Sequence, residues 1–195
     1  MMRPGRWSKR VGQIRTECRN RRTMNRLRCE PFSSTAPKMA ELTAVIGRRC
    51  SGVPPSQALD YVYGFTVSND LSARDARFEH TRWVRGKTFD GFFPIGPCIL
   101  PADQLGDPQA ASLKTWVNGD LVQDGNTSDM IFSVAELVPY LSRTITLEPG
   151  DVIATGTPWG VGFVSRAPRF LQHGDRVTLA AGEIGRLTNV VEFAA

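Results

Sequence analysis

The chain has 195 residues, enough for one well-buried domain or a domain with an appendage, and a net charge of +5. No apolar run approaches the roughly 20 residues that a membrane-spanning helix needs, which excludes a helical membrane protein. The pI near 9.3 does not by itself point to a polyanion partner, because the charge is unevenly placed. Residues 1–38 hold nine Arg and two Lys against Glu17 and Glu30, about +9, and subtracting this from +5 leaves about −4 for residues 39–195.

Residues 1–38 show neither helical nor strand periodicity and end in Pro31-Phe32-Ser33-Ser34-Thr35-Ala36-Pro37. Such a segment buries too little apolar surface to offset its ordering entropy, so a disordered leader is expected. A nucleic-acid-binding arm, a mitochondrial transit peptide and a stretch with no selected role all fit its Arg-rich composition. The folded domain is expected over residues 39–195.

Four cysteines, Cys18, Cys29, Cys50 and Cys98, are widely spaced and form no C-x-x-C pair, and the only histidines are His80 and His173. A structural zinc site is therefore not expected. With no signal-peptide apolar core, the chain reads as a cytoplasmic protein with reduced thiols, the mitochondrial matrix being the alternative.

The domain opens on a short apolar strand, Leu42-Thr43-Ala44-Val45-Ile46, stopped by Gly47. Pro54 and Pro55 then lead into residues 56–63, where Ala58, Leu59 and Val62 share a helical face and Gly64 is a helix stop. Phe65–Ser68 reads as the next strand, and it delivers Asp70. The aromatic, Gly- and Pro-rich run from Phe89 to Leu100 suits loops and short strands. Leu113–Val117 and Asp120–Gln123, separated by Asn118-Gly119, specify a tight hairpin, because both turn residues must take positive φ.

Ser133-Val134-Ala135-Glu136 has the pattern of a helix N-terminal box. Val134, Leu137, Val138, Leu141 and Ile145 continue a helical stripe that Pro139 interrupts. Short strands follow at Val152–Ala154, Arg176–Ala180 and Arg186–Val191. Many short strands with two short helices predict a mainly β (α+β) domain.

The stretch Gly64–Phe89 sets apolar strand residues beside Asp70, Arg74 and the Arg85-Gly86-Lys87 arm. Such charges must be paired, hydrated or ligated where they approach a core. Glu41 and Asp70 each sit at the edge of an apolar strand. Hard oxygen ligands with little His or Cys nearby suit Mg²⁺, Mn²⁺ or Ca²⁺. The segment Thr155-Gly156-Thr157-Pro158-Trp159-Gly160-Val161-Gly162 lacks the Gly-Lys-Ser/Thr ending of a nucleotide-phosphate loop. It reads either as a tight corner or as a loop whose N–H groups and Thr hydroxyls meet an anion.

The segments ELTAVIGRR, GFTVSNDLSARD, GKTFDGFFPIGP, VNGDLVQDGNTSDMIFSVAELVPYLSRTITLEPGDVIATGTPWGVG and PRFLQHGDRVTLAAGEIGRLTN together resemble the fumarylacetoacetate hydrolase family, in the family's order, over about residues 39–195. The resemblance implies a mixed β-sandwich or roll, a homodimer, and Mg²⁺ or Mn²⁺ dependence. It also implies hydrolysis, decarboxylation or isomerisation of small oxo-acids such as acylpyruvates, fumarylpyruvate or 2-hydroxy-diene-dioates in aromatic catabolism. It assigns Glu41 and Asp70 to the metal, Arg74 and Lys87 to catalysis and substrate binding, and Gly156 and Thr157 to substrate binding. Neither a nucleic-acid nor a membrane partner is implied. Three departures stand out. Met39 occupies the place of the first Glu of the family's Glu-x-Glu pair, Arg77 that of a Gln, and residues 1–38 show no counterpart of the lid that carries a His and a Glu. A domain that has lost its front end, acting as a subunit or binding module with weak or no activity, is the alternative expectation.

Overall fold

The computed structural model describes residues 22–29, by backbone alone, together with 40–73, 76, 84–160 and 170–193. Among these residues, nine strands form two sheets. Four of them, β2 (Ala40–Ile46), β3 (Val62–Asn69), β4 (Ile95–Pro101) and β7 (Val152–Ala154), make one sheet in the order β4-β3-β2-β7. The other sheet is ordered β1-β9-β8-β5-β6, from β1 (Arg22–Cys29), β5 (Ser112–Val117), β6 (Asp120–Asn126), β8 (Arg176–Ala181) and β9 (Gly185–Phe193). All pairings are antiparallel except β1 with β9. The mainly β, mixed-sheet architecture is the one expected.

The two sheets are patterned differently, and that difference positions the site. In β5, β8 and β9 burial alternates, so Leu113 and Val117, Val177 and Leu179, and Leu187 and Val191 face inward from a half-exposed sheet. In β2 every residue is buried, and in β3 all but Tyr63. Both faces of the β2–β3 pair are covered, and any charge these strands carry enters the core.

Two α-helices are described, α1 (Ala102–Leu105) and α2 (Val134–Ser142). The Glu136 carboxylate accepts hydrogen bonds from the Ser133 hydroxyl and N–H, each 2.7 Å long, which hold its pKa below the usual carboxylate range. Helix α2 carries Pro139 and ends at Ser142, whose Oγ accepts from Val53 N–H. Ile145, placed on the helical stripe by sequence, lies beyond that end and is exposed. The hairpin turn has φ of +53° at Asn118 and +97° at Gly119, as Asn-Gly requires.

Four expectations are corrected. Residues 56–63 do not form an amphipathic α-helix: Pro55–Tyr61 is a 3-10 turn that buries only Ala58, and Leu59 faces solvent. Val62 already belongs to β3, where the sheet ladder replaces the helical bonds. Gly64 is no helix stop but an interior residue of β3, because a Cβ there would collide with the Leu100 carbonyl oxygen of β4. Arg22–Cys29, assigned to a disordered leader, pairs in register with Arg186–Phe193. A strand added to an open sheet edge is held by main-chain bonds, which need no apolar alternation. Finally, Cys98 is disulfide-bonded while Cys50 is free and buried, because proximity of thiols in space is invisible in their spacing along the chain.

The close β3–β4 approach at Gly64 leads to a test. Gly64→Ala should lower the urea midpoint by an amount equivalent to about 2 kcal/mol or more, and an unchanged midpoint would contradict the packing described.

Candidate active site

Strand β2 delivers Glu41, and the end of β3 delivers Asp70. The register pairs Ala40 with Asn69 and Glu41 with Ser68, so Asp70 follows one step past the last paired residue. Both side chains are taken from water because their strands are covered on both faces: Glu41 is 5% and Asp70 6% exposed. Beyond Asp70 the chain loops back. Ala73 N–H donates to Gly86 O at 2.8 Å and Lys87 N–H to Val84 O at 3.0 Å. These bonds shape the 3-10 turn Arg85–Lys87 and return Lys87 Nζ to a hydrogen-bonded ion pair with Asp70 Oδ2.

On the other side of Glu41 lies the 155–158 loop, which leaves β7. Thr155 donates to Leu42 O from both its N–H, at 3.2 Å, and its hydroxyl, at 2.7 Å. Gly156 N–H then donates to Glu41 Oε2 at 3.1 Å. Gly156 has φ of +103°, a conformation that favours glycine. Thr155, Gly156, Thr157 and Trp159 of the loop, with Met130 and Phe132, line an open cavity of about 450 Å³. Glu41, Asp70 and Lys87 do not line that cavity, so the loop is the element common to the charged cluster and the open space.

The electrostatics of the cluster are unbalanced. Burial, then repulsion by Asp70, pushes the Glu41 carboxyl up to about 7, against the opposing pull of Gly156 N–H and Lys87. Two buried carboxyls thus share one ammonium, whose own side chain is partly exposed.

Of the residues singled out by sequence, Glu41, Asp70 and Lys87 come together, and Gly156 and Thr157 join them through the loop. Arg74, and with it Met39, Arg77 and His80, lies outside the described residues. One residue was not singled out. Gln123 of β6 is buried and reaches Thr157 Oγ1, Pro158 O and Ala40 N. The Asn-Gly turn alone would set Thr115 opposite Val122, but a bulge between Thr115 and Trp116 pairs Thr115 with Gln123 and turns the amide inward.

The family profile described as fumarylacetoacetate (FAA) hydrolase C-terminal matches residues 31–192. The chain belongs to the fumarylacetoacetate hydrolase family. A curated relative, oxaloacetate tautomerase fahd2, mitochondrial, of Xenopus laevis, is 43% identical over 154 residues, covering 78% of this chain and 48% of the relative. The chain spans about half the length of the curated relatives it matches. Among solved structures of the family, fumarylacetoacetate hydrolase from Exiguobacterium antarcticum superposes with a TM-score of 0.83 at 38% identity, covering 88% of this chain and 62% of that one. Fumarylpyruvate hydrolase from Pseudomonas aeruginosa, solved with Mn²⁺ and pyruvate, gives 0.79 at 34% identity, covering 88% and 72%.

The Mn²⁺ in that family structure raises the question of fit here. Two buried carboxylates that repel each other form a hard-oxygen site whose excess negative charge a divalent ion would neutralise. Among the described residues no group of three or more His, Cys, Asp or Glu gathers. An ion held by Glu41 and Asp70 would complete its shell with water or substrate oxygens, as Mg²⁺ commonly does. The donor set fits.

The raised pKa of Glu41 fixes the sign of a pH effect. Its folded value of about 7 lies above the ordinary 4.5, so its favourable contribution is complete below the unfolded value and is lost as pH rises through 7. Above that, the metal-free protein carries an ionised buried carboxylate at a cost of roughly 3 kcal/mol. In EDTA, Glu41→Gln should therefore melt higher than the wild type at pH 8, with the difference shrinking towards pH 5. Equal melting at pH 8 would contradict this electrostatic account.

Proposed function

We propose that this chain is a divalent-metal enzyme for small 2-oxo acids, with keto–enol tautomerisation of an oxaloacetate-type substrate the reaction its residues support best. The observation that carries the reading is the buried Glu41 and Asp70, with the Lys87 ammonium on Asp70 and the Gly156 N–H on Glu41. A divalent ion on the two carboxylates would polarise the 2-oxo group and favour its enolate. The ion pair with Asp70 fixes Lys87 Nζ, whose remaining N–H bonds are offered to a substrate oxygen. Arg74 is proposed to clamp a substrate carboxylate through its planar fork. Thr157 offers a hydroxyl from the loop.

Tautomerisation moves one proton from the carbon beside the ketone to the ketone oxygen and needs no activated water. Hydrolysis of an acylpyruvate or fumarylpyruvate needs a water and a base to activate it in addition. The named activity of the Xenopus laevis relative supports the first. That of the Pseudomonas aeruginosa protein supports the second. A place in the breakdown of aromatic compounds rests on no residue described above, and the proposal is confined to the small oxo acid and to a homodimer. Among the described residues no helix is long and apolar enough to cross a membrane.

A second reading, a domain with weak or no activity that serves as a subunit or binding module, draws on the two-carboxylate donor set. One assay separates them. Loss of the enol absorbance of oxaloacetate should accelerate with protein and Mg²⁺ or Mn²⁺, and Asp70→Asn or Lys87→Met should each lower kcat/KM by about 100-fold or more. No turnover, together with no metal-induced rise in melting temperature, would favour the inactive domain.

A further inference from the structure

Gln123 is 1% exposed, and its amide makes four hydrogen bonds to three other segments. Its Oε1 accepts from Ala40 N–H at 3.2 Å and from the Thr115 hydroxyl at 2.8 Å. Its Nε2 donates to Thr157 Oγ1 at 3.1 Å and to Pro158 O at 3.2 Å. The usual ambiguity between amide oxygen and nitrogen is absent here. A backbone N–H can only donate, which fixes Oε1 beside Ala40, and a backbone carbonyl can only accept, which fixes Nε2 beside Pro158.

Two glycines independently show that the loop is seated on β6. A Cβ at Gly125 would lie 2.5 Å from Pro158 Cβ, and one at Gly160 would lie 2.8 Å from Val122 O and 3.3 Å from Gln123 Cγ. The 156–160 loop thus lies directly on the strand that carries Gln123. The first residue of β2, next to Glu41, is tied to the same amide.

The consequence concerns the Thr157 proton. A hydroxyl that accepts from Nε2 must direct its own hydrogen elsewhere. Among the described residues Thr157 donates to none, and it lines the open cavity. We propose that Gln123 is a positioning residue that holds the Thr157 hydroxyl as an obligate hydrogen-bond donor to an anionic oxygen of the substrate. This inference rests on the oxo-acid reading above and deepens it. It predicts selection of ligands by an acceptor oxygen, a carboxylate or enolate, over isosteres that present a donor there.

The test is a double-mutant cycle read by calorimetric titration of pyruvate at saturating Mn²⁺, with Mn²⁺ affinity measured separately. Thr157→Val should weaken pyruvate by about 10- to 100-fold, the range for a lost hydrogen bond to a charged group, and leave Mn²⁺ affinity unchanged. Thr157→Ser should retain binding. Gln123→Met should weaken pyruvate similarly, and the double variant should be no weaker than Thr157→Val alone, because Gln123 acts through that hydroxyl. Losses that add, or full binding by Gln123→Met, would overturn the inference. Should Gln123→Met fail to fold, Gln123→Glu keeps both acceptor bonds and enters the same cycle. A carboxylate facing Thr157 draws the hydroxyl proton inward, so pyruvate binding should again be lost. A wild type that binds neither Mn²⁺ nor pyruvate would overturn the oxo-acid reading and this inference with it. Wild-type binding with additive losses would overturn only the inference.

Discussion

The site depends on one costly act, the burial of two carboxylates, one on β2 and the other just past the end of β3. Glu41 and Asp70 are almost wholly buried by a β2–β3 pair covered on both faces, and no rearrangement of surface side chains can rehydrate them. Isolated buried charges cost several kcal/mol each. The protein offsets this with a short list of partners: Lys87 on Asp70 and Gly156 N–H on Glu41. The compensation is incomplete, as the upward shift of the Glu41 carboxyl records. This shortfall of positive charge is what the proposed divalent ion would offset.

The surrounding structure then reads as support for that pair. The segment after Asp70 is closed by the Ala73–Gly86 bond so that Lys87 returns to it. The 155–158 loop is sewn to β2 through Leu42 and Glu41 and to β6 through Gln123. Three segments distant in sequence thereby hold fixed positions around two carboxylates, the kind of preorganisation that the proposed reaction would draw on.

Much of this was legible in the sequence, and the exceptions share a cause. The strands carrying Glu41 and Asp70 announce themselves by apolar runs, the hairpin by Asn118-Gly119, and helix α2 by Ser133 and Glu136. Each is a local signal. What escaped depends on tertiary context. Gly64 is read as a helix stop until β4 is seen to approach it. Arg22–Cys29 has no periodicity to betray an edge strand held by backbone bonds. Gln123 faces inward only because a bulge shifts the register by one. Residue-level resemblance singled out Glu41, Asp70, Arg74, Lys87, Gly156 and Thr157, but it could not show that one amide holds the loop that carries the last two.

The central claim is that Glu41 and Asp70 together hold a divalent ion that receives a small oxo acid. A crystal structure of this chain grown with Mn²⁺ and pyruvate, with anomalous data collected at the manganese edge, tests it most directly. The account predicts a single anomalous peak between the two carboxylates, with pyruvate oxygens completing its shell and the Thr157 hydroxyl within hydrogen-bond reach of the ligand. An occupied site elsewhere, or no manganese at the Glu41–Asp70 pair under saturating conditions, would contradict it.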